Sequence, residues 1–233
     1  MEEIPHPTHI YRNILVLILV VASVLNLTMA GWTSFTSSHM DVSMFWIIAL
    51  GTCVLLLSGG LALYVTRDVP SIRRIGLWAG MLFGTILGAL MAIAASGPND
   101  AAMGVAFLTL LPWFFLLSPH NGLLMALFVL SPHIVMILVL GGSAFWATRL
   151  SGKVRSGIGS VLLLTCIVTC FTILVGFVMT FVLGKLDMLS MYDAWGMLFA
   201  LPFPALLVYT LTVGTLGALL GRIGTQRMVP SIL

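Results

Sequence analysis

The chain alternates between long apolar runs and short charged punctuation. Stretches without any Asp, Glu, Lys or Arg cover residues 14–38, 42–66, 75–99, 101–148, 156–184 and 194–221. Crossing the ~30 Å hydrocarbon core of a bilayer takes about 20 helical residues. Five of the runs fit one crossing each. The run from Ala101 to Thr148 is long enough for two. No run shows the strict alternation of a half-buried strand, so the pattern predicts an all-α, polytopic membrane protein: one membrane domain over residues 1–233, which begins with a short N-terminal segment, 1–12.

The order of the charges along the chain chooses between topologies. If 101–148 crosses twice, giving seven spans, Arg12, Arg67, Arg73, Arg74 and Lys185 face one side, and Arg149, Lys153, Arg155, Arg222 and Arg227 the other. That is no bias. If the run makes one net crossing, only Lys185 is separated from the remaining nine basic residues. Cytoplasmic loops collect Lys and Arg. The expectation is therefore six net transmembrane helices in a cell membrane, with both termini cytoplasmic and seven spans as the alternative.

One net crossing by so long a run requires part of it to turn back or lie flat, and its local chemistry suits an interruption. Leu-Ser-Pro-His occurs twice, at Leu117–His120 and Leu130–His133, and Asn121-Gly122 adds a turn signal. Proline withholds a helix hydrogen bond and biases the residue before it away from α. Irregular backbone at membrane depth must be buried in protein or line a wet cavity, and transporters place binding sites at broken helices. Segment 101–148 is thus expected to be interrupted or re-entrant. Pro119, Pro132, His120, His133 and Asn121 are the candidate solute-path residues, the imidazoles offering polar, pH-sensitive contacts. The bland reading is that each histidine caps a carbonyl freed by its proline.

The third run carries a row of small residues. Gly76, Gly80, Gly84 and Gly88 recur every fourth position, and Ala92 and Ser96 continue the row. Lipid gives helices no hydrophobic reason to associate, so small faces that permit close approach hold spans together. The partner is expected in another span of this chain, a second copy or another subunit. Gly217, Gly221 and Gly224 form a shorter row in the last run, a face on which the first could pack. Asn26, well inside the first run, is expected to hydrogen-bond across a helix interface.

Composition removes whole classes of function. The chain is 60% hydrophobic and 7% charged, with mean hydropathy +1.16, against about 25% charged residues in soluble domains. The net charge of +3 sits in loop clusters rather than on a nucleic-acid-binding surface. The N-terminus carries Glu2 and Glu3 where a signal peptide needs positive charge, so the first run reads as a true span. Walker A, HExxH, GxSxG and CxxC motifs do not occur, and all seven carboxylates lie at or near the ends of runs. The chain is not expected to be an enzyme.

Cofactor chemistry finds little purchase. Haem b would need each of His120 and His133 to find a second axial histidine, and His6, His9 and His39 lie outside the runs or at their edges. Copper could draw on the soft ligands His39, Met40, Met44, Met188 and Met191, but methionine is plentiful throughout the chain. Cys166 and Cys170, four apart, read as packing residues, and no bound cofactor is expected.

The leading functional expectation is a transport component, a permease or channel subunit without its own energy source. A cytoplasmic partner could dock on the basic loops Arg67–Arg74 and Arg149–Arg155. Alternatives are a non-catalytic subunit assembled with other membrane subunits or its own copies, and a haem b electron carrier.

Overall fold

A computed structural model describes residues 7–36, 42–67, 69–96, 123–183 and 202–226. These form helices α1 (Pro7–Thr36), α2 (Val42–Val65), α3 (Pro70–Ser96), α4 (Leu123–Ser151), α5 (Val154–Leu183) and α6 (Pro202–Tyr209), a π-helical turn π1 (Thr210–Gly214) and α7 (Thr215–Gln226). No strand occurs among the described residues. Among the described residues four segments are long and apolar enough to span a bilayer: Ile10–Gly31, Phe45–Val65, Val154–Val175 and Leu206–Gly224. The protein is an all-helical, multi-pass membrane protein.

Local chemistry sets the helix ends. Pro7, Pro70 and Pro202 open α1, α3 and α6, where the missing N–H costs nothing and the fixed φ suits a first turn. Gly152 ends α4 with φ +70°, a conformation glycine adopts without a Cβ penalty. Its N–H reaches the Thr148 carbonyl at 2.7 Å, and the Ser151 hydroxyl accepts the Lys153 N–H at 3.2 Å. Two residues thus reverse the chain, and α4 and α5 form an antiparallel hairpin.

α5 is the axis of the bundle. It touches every other described helix, and each of the three apolar clusters contains its side chains: Cys166, Cys170 and Ile173; Val161, Leu164 and Val168; Leu163 and Ile167. Within its apolar span 72% of residues are buried, against 33% in α1 and 28% in α2. The outer helices turn Leu17, Leu57, Leu61, Leu82 and Leu138 outward, where lipid is their solvent.

Contacts across the bundle fix helix directions. Gly76, Gly80 and Gly84 of α3 lie against Leu163, Ile167 and Phe171 of α5. Both series ascend, so α3 and α5 are parallel. Gly141 and Phe145 of α4 meet Gly217 and Gly221 of α7, again in parallel. Asn26 of α1 meets Thr52 of α2 and Leu19 meets Gly59, so α1 and α2 are antiparallel. The eight described basic side chains, Arg12, Arg67, Arg73, Arg74, Arg149, Lys153, Arg155 and Arg222, consequently lie at one end. Exposed Tyr64 stands near that end of α2 and exposed Trp46 near the other, about 27 Å apart at 1.5 Å per residue. That separation matches two interfacial aromatic belts.

Two expectations are corrected. The second Ser-Pro-His does not stop a helix: α4 runs unbroken from Leu123 through Pro132 to Ser151. In lipid no water competes for backbone groups, and neighbouring groups can re-satisfy those a proline frees, so a spanning helix tolerates it. The two glycine rows do not pack on each other. That of α3 faces α5, and Gly217 and Gly221 of α7 face α4, because α5 stands between them. The first Ser-Pro-His, with Pro119, His120 and Asn121, lies outside the described residues.

Candidate functional site

Among the described residues the bundle interior is apolar apart from Ser23 and Asn26 of α1, Arg73 of α3 and a hydroxyl-rich seam on and around α5. Ser156, Ser160, Thr165, Thr169 and Thr172 are buried along this helix, as are Thr52, Thr66, Thr148 and Thr210 on its neighbours. A hydroxyl is tolerated in a helix when it donates to the carbonyl three or four residues earlier. Thr169 does so to Thr165, Thr172 to Val168 and Ser160 to Gly157, at 2.9, 2.8 and 2.7 Å. Ser160 also lies 3.4 Å from the Ser143 carbonyl across on α4.

Three contacts between helices share one design. The Asn26 amide of α1 donates to the Thr52 hydroxyl of α2 at 2.9 Å, and Thr52 donates to the Ile48 carbonyl. Arg73 Nε of α3 donates to Thr66 Oγ1 at 3.4 Å, and Thr66 donates to the Ala62 carbonyl. The Thr165 and Thr210 hydroxyls are 2.7 Å apart, and Thr210 donates to the Leu206 carbonyl at 2.8 Å. A hydroxyl has one proton, so Thr165 is the donor to Thr210. In each case threonine accepts from a neighbouring helix while its own proton is held locally. Such bonds average ~0.6 kcal/mol in a membrane interior, so they fix register more than they add stability.

Arg73 closes the basic end. It is 6% exposed, and its Nη2 reaches the Leu63 carbonyl at 2.8 Å. The cation thereby meets the negative end of the α2 dipole. Arg67, beside it, stacks on the exposed Tyr64 ring at 5.0 Å, a cation–π contact of about 0.5–1 kcal/mol at an exposed site.

The last helix is irregular where it meets the seam. The π-helical turn Thr210–Gly214 lies opposite Thr165 and Val161, and Gly214 approaches Val161 Cγ1 to 3.2 Å, measured from the position its Cβ would take. A π turn shifts backbone carbonyls out of α register, and its threonines make the same hydroxyl-to-carbonyl bonds, four residues back, that Thr169 and Thr172 make in α5. Thr212 donates to the Val208 carbonyl at 2.7 Å, and Thr215 to the Leu211 carbonyl at 2.6 Å. The sequence Thr210-Leu-Thr-Val-Gly-Thr215 supplies those donors; its threonine spacing was the legible signal that periodicity alone passes over.

On the other side of α5 a void of about 10 Å³ is bounded by Leu15, Leu19, Gly59, Leu163, Cys166, Ile167 and Cys170 among others. Its size is at the lower bound for one water, and its walls offer few of the polar partners a water needs. The two thiols are packing groups here, as their spacing suggests.

The other residues singled out in the sequence fall as follows. Asn26 is fully buried and makes the interhelical bond expected of it. A Cβ on Gly80 would strike Ile167, and one on Gly84 the Val168 carbonyl at 2.7 Å. Met44, Gly88, Pro132 and His133 lie on helices, but their surroundings are outside the described residues, as are Met40, Met188, Met191 and His39 themselves. Among the described residues no three of His, Cys, Asp and Glu converge on a metal-sized site. The seam offers hydroxyls, which give and accept hydrogen bonds but carry no charge and present no base. No family model, curated protein or solved structure matches the chain.

Proposed function

We propose that the protein is a transport component of a cell membrane, a permease or channel subunit with six net crossings, both termini cytoplasmic and no energy source of its own. The observation that carries this reading is the buried hydroxyl seam facing a π-helical turn inside a mostly apolar bundle. A row of neutral donors and acceptors is the chemistry with which a dehydrated polar solute exchanges its water. The parallel course of α3 and α5 supports the net count, because an odd number of crossings must separate parallel helices. The single basic end supports the cytoplasmic assignment. His120, His133, Pro119, Pro132 and Asn121 remain the proposed path residues in the run between α3 and α5. The basic loops at Arg67–Arg74 and Arg149–Arg155 are the proposed place for a cytoplasmic partner that would supply energy.

A second reading is a non-catalytic structural subunit of a larger membrane complex. It is favoured by the close-packed glycine faces of α3 and α7, where a Cβ on Gly80, Gly84, Gly217 or Gly221 would strike a neighbouring helix. Flux of small polar solutes through liposomes holding the purified protein separates the two. The transport reading expects flux that falls at least tenfold in a Thr165→Ala, Thr169→Ala double variant and in His120→Ala, His133→Ala. Absence of flux, with fixed partners co-purifying, would replace it by the structural reading. A Soret band in the same preparation would reveal haem.

A further inference from the structure

Three helices meet at one point beside the basic end. Gly157 of α5 lies against Thr148 and Ala144 of α4 and against Ala218 of α7. Each chain leaves that point toward the basic end and carries cations there. Arg149 follows Thr148, Lys153 and Arg155 stand just before Gly157, and Arg222 stands one turn beyond Ala218. Lys153, Arg155 and Arg222 are exposed and Arg149 is half-buried. α4, α5, the turn between them and α7 contain these four basic residues and no Asp or Glu, a formal charge of +4. Their apolar neighbours Trp146, Leu150 and Ile223 are exposed, as side chains facing lipid are.

We propose that this three-helix corner is a binding site for the headgroup of an anionic phospholipid in the leaflet at the basic end. Guanidinium groups hold phosphate oxygens with paired N–H donors, and basic corners between spans attract phosphate-bearing headgroups. The depth is suitable. An indole belongs at the headgroup boundary, and Trp146 lies on the face of α4 that also carries Arg149 and Leu150, one turn nearer the cytoplasmic end. The shape of the turn favours lipid over a soluble partner. α4 ends at Ser151 and α5 begins at Val154, so no loop projects past the headgroups for a protein to grip. The other basic loop differs. Arg73 is turned inward onto Thr66 and the Leu63 carbonyl, Arg67 stacks on Tyr64, and Asp68 lies among these arginines in sequence. A soluble partner still has that loop. The lipid site does not depend on the transport reading.

The test compares two lipids. The full chain is placed in phosphatidylcholine vesicles with a trace of phosphatidylglycerol or phosphatidylcholine spin-labelled on its acyl chain, and the motionally restricted fraction of each gives the ratio of their association constants. The wild type is expected to favour phosphatidylglycerol by about fivefold or more, the attraction of roughly one basic residue near an anionic headgroup. A chain carrying Arg149→Gln, Lys153→Gln, Arg155→Gln and Arg222→Gln is expected to bring the ratio down to about 1, while Arg67→Gln, Arg74→Gln leaves it within about twofold of the wild type. A wild-type ratio of about 1, the value for no charge attraction, overturns the proposal and leaves the corner to a soluble partner. An unchanged ratio in the fourfold variant overturns it as well. So does an equal loss in the Arg67→Gln, Arg74→Gln chain, which would make the attraction a property of the whole basic end. If the fourfold variant does not insert, Arg155→Gln, Arg222→Gln replaces it, with a fall of at least about twofold expected and the same unchanged result overturning the proposal. No flux is measured, so failure here and failure of the transport reading are separate events.

Discussion

α1 and α5 have the same mean hydropathy over their spans, yet one is a wall and the other an axis: 33% of the first span's residues are buried, and 72% of the second's. The difference lies in what fills the helix faces. α1 turns Val16, Leu17, Val20 and Val24 to the outside, whereas α5 carries Ser156, Ser160, Thr165, Thr169 and Thr172 inside. A bilayer accepts both by total apolarity, but only protein neighbours can sit closely against glycine and hydroxyl faces. Between these two helices, buried hydroxyl and glycine positions rather than hydropathy separate the one surrounded by helices from the one that faces lipid.

That contrast breaks most sharply at glycine. Gly157 of α5 has no room: a Cβ there would meet Thr148 Oγ1, the Ala144 carbonyl and, at 2.9 Å, Ala218. Gly157→Val is expected to cost about 3 kcal/mol or more through overpacking, seen as loss of the monodisperse folded species in detergent. Gly60 of α2 has nothing within 4 Å of its Cβ position. Gly60→Ala is expected to raise the thermal midpoint slightly, gaining up to about 1 kcal/mol of helix propensity. The two substitutions should therefore differ in sign.

Truncation sharpens the same comparison. Ile173→Ala in α5 removes a fully buried side chain and is expected to cost about 2–4 kcal/mol in a denaturation titration, mostly through the cavity left behind. Leu57→Ala in α2, at a residue 74% exposed, should change the same titration by less than about 0.5 kcal/mol. Between these lies Asn26→Leu, which deletes one interhelical bond and is expected to cost about 1 kcal/mol. The gentlest probe is thiol labelling. Cys53 is exposed while Cys166 and Cys170 are buried, so one thiol of three should react with a small apolar maleimide in the folded protein, and all three after unfolding.

Much of this architecture was legible in the sequence. Four spans followed from apolar run length. Asn26 followed from the cost of a lone amide in lipid, and the α3 glycine row from its four-residue repeat. The placement of Arg67 to Arg74 and Arg149 to Arg155 at one end agrees with the charge pattern. Proline was over-read at Pro132, since neighbouring groups in a membrane bundle can re-satisfy the backbone that a proline frees. The central role of α5 was missed, although its run of serines and threonines from Ser156 to Thr172 announced it. The π turn was hidden because the flanking residues keep a perfect α period. It shows only in the density of threonine from Thr210 to Thr215 and in a partner, Thr165, 45 residues away.

The axial position of α5 also dictates an order of assembly. Synthesis runs from the N-terminus, so α1, α2 and α3 reach the bilayer before the helix they surround has been made. Gly76, Gly80 and Gly84 must meet acyl chains, or an insertion factor, in the interval. The tight reversal at Gly152 then delivers α5 joined to α4 as a pair, and only with its arrival can the earlier helices close into a bundle.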